Sequence, residues 1–102
     1  MIHINTNNMT KQELIKAITD AKEVNRHDVE AAVEGFIEVV KKELVEGGEV
    51  TLRGFGTFRP KFRAAKIARN IKAGEMVNVS ERYVPAFKPA QEFKDELLKL
   101  KK

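Results

Sequence analysis

Apolar residues recur with a helical period in two stretches of the N-terminal half. Leu14, Ile15, Ala17, Ile18 and Ala21 fall on one stripe, and a second runs through Val29, Ala32, Val33, Phe36, Ile37, Val40 and Leu44. Thr10-Lys11-Gln12-Glu13 reads as a capping box, in which the Thr hydroxyl and the Glu carboxylate satisfy reciprocal backbone N–H groups, so the first helix is expected to start there. Asn25, with Asp28 three residues on, marks the start of the second helix. Gly47-Gly48 ends it, because Gly accepts the left-handed conformation just past a helix. Gly35 lies inside the second stripe at a cost of up to about 1 kcal/mol relative to Ala, for which a close helix approach would compensate.

From Glu49 the period shortens. Val50, Leu52 and Phe58 alternate with Glu49, Thr51 and Arg53, which predicts one strand with a buried face, bent at Gly54 and Gly56. Met76, Val77, Val79, Tyr83 and Val84 supply a return strand after the turn-like Asn70-Ile71-Lys72-Ala73-Gly74. Pro89 is expected to open a last helix, since its missing N–H is not needed at the first helical position, and Ala90, Phe93, Leu97 and Leu98 mark that helix's buried stripe. Ahead of everything, residues 1–8 alternate Ile2 and Ile4 with His3 and Asn5, a pattern that fits either an edge strand or a frayed tail.

Charge turns this outline into a functional one. Residues 1–50 hold 6 Lys and Arg against 10 Asp and Glu, a net −4, whereas residues 51–102 hold 13 against 5, a net +8. Arg53, Arg59, Lys61, Arg63, Lys66, Arg69 and Lys72 follow one another without an intervening acid. An acidic body carrying a basic ribbon is suited to a polyanion, most often nucleic acid. A membrane surface fits less well, because such binders usually present a basic amphipathic helix and these cations lie on predicted strand.

The 102 residues make one domain, and with an exposed ribbon removed the body is small for a stable core, so dimerisation is expected. There is no cysteine, hence no disulfide or thiolate metal site, and no apolar run of membrane-spanning length. These features fit a cytoplasmic protein. His3 and His27 are the only histidines and stand far from any Ser-Asp arrangement, and no phosphate-cradling Gly loop occurs. The expectation is therefore no enzyme, no cofactor, no metal and no small-molecule substrate.

Three motifs hold register together over more than thirty residues: Gly54-Phe55-Gly56-Thr57-Phe58; Arg63-Ala64-Ala65-Lys66 leading to Arg69-Asn70-Ile71-Lys72-Ala73-Gly74; and Val84-Pro85-Ala86-Phe87-Lys88. On these the chain resembles the HU/IHF family of bacterial histone-like DNA-bending proteins over about residues 9–98. The resemblance implies an α+β fold: a helical body of two N-terminal helices and one C-terminal helix, with a three-stranded antiparallel sheet extended into a two-stranded β-ribbon arm. It also implies an intertwined homodimer, with a heterodimer with a paralogue as the alternative. Residues 1–8 would be an N-terminal extension and residues 9–102 a single DNA-binding domain, with the arm over about 59–83.

The site expected from this reading is the arm. Arg59, Lys61, Arg63, Lys66, Lys72, Arg82 and Lys88 would contact phosphates, together with Arg53 at the start of the basic stretch, while Arg69 and Asn70 would meet the acceptor-rich floor of the minor groove. At the tip the family pattern is Arg-Asn-Pro, and this chain has Arg69-Asn70-Ile71, so Ile71 takes the position of the apolar wedge that enters a base step. Phe36, Ile37, Val40, Phe55, Phe58 and Phe87 are expected in the core and dimer interface, and Phe62 either in a cluster at the arm base or facing DNA. The implied function is an architectural protein of the nucleoid that binds double-stranded DNA through the minor groove with low sequence specificity and bends or compacts it. The alternatives are an IHF-like, sequence-selective bending factor and a basic ribbon module that holds an acidic protein.

Overall fold

The computed structural model describes residues 8–70 and 74–100, Asn70 by its backbone alone. Helix α1 spans Lys11–Lys22 and α2 spans Arg26–Val45. Both begin where local chemistry demands. The Thr10 hydroxyl accepts from the Glu13 amide at 3.2 Å, and the Glu13 carboxylate accepts from the Thr10 amide at 2.9 Å, completing the capping box. Asn25 caps α2 by accepting from the His27 and Asp28 amides at 2.7 and 3.4 Å. Glu23, left-handed at φ 52°, turns the chain between the two helices. At the far end of α2, Gly47 takes φ +90° one residue past the cap.

The stretch after α2 is a hairpin, not the single bent strand expected from its alternation. Strand β1, Val50–Leu52, folds back on β2, Gly56–Arg63, with Val50 opposite Phe58 and Leu52 opposite Gly56. The reversal is made at Arg53-Gly54-Phe55, where Gly54 takes φ +80° and the Phe55 amide donates to the Leu52 carbonyl at 2.9 Å. Gly56 is required for a different reason. A Cβ there would come within 2.6 Å of both the Lys88 carbonyl oxygen and the Phe87 ring.

Strands β3, Lys66–Asn70, and β4, Glu75–Val79, pair with each other, and β5, Arg82–Pro89, pairs with β2. The body sheet has the order β1-β2-β5, and β3-β4 forms a separate two-stranded sheet. One register nevertheless runs through both. Arg63 faces Arg82 and Lys66 faces Val79, so Ala64-Ala65 and Ser80-Glu81 interrupt the ladder by two residues on each side without shifting it. The ribbon gives the chain a radius of gyration of 18.5 Å, against about 13 Å for a compact domain of this length.

Helix α3, Gln91–Leu97, starts later than expected. Pro89 is the last residue of β5, paired with Gly56, and the Ala90 amide donates to the Phe55 carbonyl at 2.9 Å, which ties the helix start to the β1–β2 turn. Five phenylalanines join the elements. Phe55 lies 5.0 Å from Phe87 and 5.3 Å from Phe93 between ring centroids, Phe58 lies 4.8 Å from Phe87, and Phe36 of α2 meets Phe58 edge-on at 6.1 Å. Contacts of this kind contribute roughly 0.5–1.5 kcal/mol each beyond the area they bury.

Even so, the core is incomplete. Among the described residues the buried hydrophobic side chains are Ile15 and Val29, while Phe36 and Ile37 remain 43% and 41% exposed and Leu97 and Leu98 lie on the surface. The expected burial of Leu14, Leu97 and Leu98 is thus not met within one chain. A Cβ on Gly35 would meet nothing within 4 Å, so the close helix approach expected there is absent from the single chain as well. Among the described residues no element packs fully over these positions, and Phe36 meets Phe58 only edge-on.

Candidate nucleic-acid interface

Pairing across β2 and β5 separates the ribbon base into two faces, because directly opposed residues project to the same side and successive residues alternate. Thr57–Lys88, Arg59–Ala86, Lys61–Val84 and Arg63–Arg82 form one face. Gly56–Pro89, Phe58–Phe87, Pro60–Pro85 and Phe62–Tyr83 form the other. All five cations of this segment, Arg59, Lys61, Arg63, Arg82 and Lys88, therefore stand on a single side, and the aromatic residues stand on the side that α2 covers through Phe36 and Phe58. Phe62 belongs with the aromatic face, its ring 5.4 Å from that of Tyr83 and nearly perpendicular to it. It closes a small cluster at the arm base.

Lys61, Arg63, Arg82 and Lys88 are exposed, and Arg59 is half-buried. Arg82 is partly positioned by the ribbon itself: its Nη1 donates to the Ser80 carbonyl at 3.3 Å, bridging the interruption. Among the described residues the ion pairs, Lys11–Glu34 at 3.2 Å and Lys16–Asp20 at 2.8 Å, lie on the helices, which leaves the ribbon cations available to an external anion. Lys66 and Arg69 extend the cationic run along β3, both exposed.

Not every expected site residue joins this group. Arg53 sits in the β1–β2 turn, at the opposite end of β2 from the arm. Ile71 and Lys72 lie outside the described residues. Two arm residues that the expected site omitted, Met76 and Asn78, are exposed on β4 opposite Arg69 and Ile67. Nothing in their residue types singles them out; the cross-strand register does.

Toward the arm-base end of the aromatic face, the C-terminal half of α2 and strands β2 and β5 border an open apolar groove of about 840 Å³, lined by Val40, Leu44, Val45, Phe58, Pro60 and Tyr83 among others. Phe36 and Ile37 lie exposed on the same helix.

Comparison with known proteins decides what kind of ribbon this is. The sequence model of one family, Bacterial DNA-binding protein, matches residues 9–98. The chain belongs to this family. Integration host factor subunit beta of Hahella chejuensis is 41% identical over 90 residues, which cover 87% of this chain and 92% of that protein. DNA-binding protein HU of Clostridium pasteurianum is 40% identical over 91 residues, covering 89% and 100%. The HU chain of an Anabaena HU–DNA cocrystal superposes with a TM-score of 0.81 at 29% identity, over 90% of this chain and all of that one. As a bacterial DNA-binding protein of the HU and integration host factor type, the chain has the α+β fold of helical body, three-stranded sheet and β-ribbon arm.

Proposed function

We propose that two copies of this chain form a homodimer whose arms enter the minor groove of duplex DNA and bend it with low sequence selectivity. The observation that carries this reading is the division of β2–β5 into a basic face and an aromatic face. It lets the ribbon be anchored to the body on one side and offered to a polyanion on the other. Arg59, Lys61, Arg63, Lys66, Arg82 and Lys88 neutralise phosphates and release counterions, which supplies most of the affinity and makes it steeply salt-dependent. Lys72 adds to this set by its place in the sequence, and Arg53 contacts a phosphate from the body side. Arg69 and Asn70 meet the groove floor, whose acceptors scarcely distinguish A·T from T·A.

Ile71, at the tip, is the wedge that enters a base step, where the unstacking cost of a few kcal/mol is offset by the additional surface a bent duplex contacts. Arms of this length suit the task, since ten residues of strand reach on the order of 33 Å. The second copy covers what one chain leaves bare: Phe36, Ile37, Val40 and the apolar groove beside them, with Phe55, Phe58 and Phe87 continuing the shared core. The protein would act at the nucleoid, in the cytoplasm.

The test is a titration with linear, nicked and mismatched duplexes of scrambled sequence. Binding to all three, tightest to the nicked and mismatched forms where unstacking costs less, is the expected result. Equal affinity for intact and distorted duplexes would remove the bending mechanism. The similarity to a protein named as a subunit favours one second reading, pairing with a different chain to give a sequence-selective bender, for which a strong preference for one duplex sequence would be the sign.

A further inference from the structure

From Arg59 to Tyr83 the chain carries a single aliphatic hydroxyl, that of Ser80, and it sits in the interruption between the two ladders. The register that continues through the interruption sets Ser80 opposite Ala65 and Glu81 opposite Ala64. By the alternation of the pleat, Ser80 falls on the face of Arg63 and Arg82, and Glu81 falls on the aromatic side. Arg82 is the next residue along the same face, about 7 Å away. Arg63 is the diagonal neighbour across the ribbon, roughly 7–8 Å away and within reach of a long side chain. The Arg82 guanidinium is already turned toward this residue, since its Nη1 donates to the Ser80 carbonyl at 3.3 Å.

Two features set Ser80 apart from an ordinary surface serine. Its neighbours form a like-charge pair: Arg63 and Arg82 are both exposed, and among the described residues the ion pairs lie on α1 and α2. Its backbone is also accessible. Ser80 is exposed, takes no part in either ladder, and borders an open cleft of about 370 Å³ with Ala65, Lys66 and Val79 among others. An external active site can therefore reach the hydroxyl without first breaking a strand pairing. A phosphoryl group on Ser80 would bring up to about two negative charges and three acceptor oxygens between two guanidinium groups that face each other without an anion.

We propose that Ser80 is a phosphorylation site whose phosphate seats between Arg63 and Arg82 and releases the arm from DNA. This rests on the DNA-binding reading above, in which those two residues contact phosphates. The donor is a nucleoside triphosphate and the catalyst a separate protein kinase. The bond from the γ-phosphorus to its bridging oxygen breaks and a bond from phosphorus to Ser80 Oγ forms. The hydroxyl proton passes to the kinase's base, and the nucleoside diphosphate leaves. Once seated, the phosphate occupies the two arginines that otherwise neutralise the DNA backbone, and its charge repels the duplex.

The full chain phosphorylated at Ser80, made by genetically encoded phosphoserine, tests the effect. It is expected to bind a scrambled duplex about a hundredfold more weakly than the unmodified protein, with a salt dependence of log K flatter by roughly two units per arm. Ser80→Ala keeps the backbone carbonyl and both arginines and should bind within about twofold of the unmodified protein. Phosphorus NMR separates seating from repulsion alone. Held by two guanidinium groups, the phosphoserine should titrate below its ordinary value of about 6, and Arg63→Gln should raise the midpoint toward that value. Mass spectrometry of the protein isolated from growing and from starved cells is expected to find phosphate on Ser80 in the fraction that does not sediment with DNA. Unchanged affinity of the phosphorylated protein, a phosphoserine titration at or above the ordinary value, or the absence of phosphate from Ser80 in both cell samples would each overturn the proposal. Failure of the unmodified protein to bind any duplex would instead refute the DNA-binding reading itself.

Discussion

Arg63 and Arg82 stand directly opposite each other on the last rung of the β2–β5 ladder, both exposed and on the basic face. Like charges so placed destabilise a sheet, by up to about 1 kcal/mol, unless an anion lies between them. The pair therefore has opposite effects on the free and the bound protein. Arg63→Gln is expected to raise the thermal midpoint by about 2–5 °C in the absence of DNA. The same substitution should weaken binding to every duplex and flatten the salt dependence of log K by roughly one unit per lost phosphate contact in each arm. Calorimetry and titrations at several salt concentrations measure the two effects. A lower midpoint together with an unchanged salt slope would mean that Arg63 serves the ribbon and not the ligand.

Phe36 and Ile37 concern assembly. Phe36 touches Phe58 edge-on and yet remains partly exposed, and Ile37 beside it is similarly uncovered. For a dimer whose core is completed by the partner, the thermal midpoint should rise with protein concentration. Ile37→Glu would place a charge in that interface and is expected to abolish the dimer at micromolar concentration, as read by sedimentation equilibrium. A midpoint independent of concentration in the unmodified protein would contradict the shared core.

Glu13 supplies a pH dependence. The Thr10 backbone amide, and then its hydroxyl, hold the Glu13 carboxyl below its ordinary value. A group with its pKa lowered on folding stabilises the fold above its unfolded value and loses that contribution as pH falls through the folded value. The start of α1 should thus loosen in acid, below about pH 4, and hold at neutral pH. Glu13→Gln should reduce that part of the acid sensitivity, which hydrogen exchange at the α1 amides would report.

Ile71 separates wedge from packing. Ile71→Ala leaves every charge in place, so the salt slope should be unchanged while the bend and the preference for nicked or mismatched DNA both fall. Ile71→Pro should keep or increase the bend, because Pro presets φ and presents a compact apolar face. Energy transfer between dyes at the DNA ends measures this. Weaker binding to all DNA with an unaltered bend would place Ile71 against its own hairpin.

The sequence by itself determined whatever is decided within a few residues of chain. Thr10 with Glu13, and Asn25 with Asp28, satisfy amides three positions away, so both N-terminal helix starts were readable, as was the end of α2 at Gly47. Charge was readable too, since the basic run needs no geometry to be seen, and the three spaced motifs led to the family. Tertiary structure decided what depends on residues far apart in the chain meeting. The division of the ribbon into faces follows from pairing Arg63 with Arg82 and Ile67 with Asn78, and a register slip of one residue would have moved every side chain of a strand to the other side. For the same reason, alternation alone could not tell one bent strand from the hairpin at Arg53-Gly54-Phe55. Nor could it show Pro89 paired with Gly56 before the last helix begins. The apolar stripes of α1, α2 and α3 were legible as stripes, but hydrophobicity carries no address, and only the fold showed that Ile15 and Val29 are covered within the chain while Phe36, Ile37 and Leu98 are not.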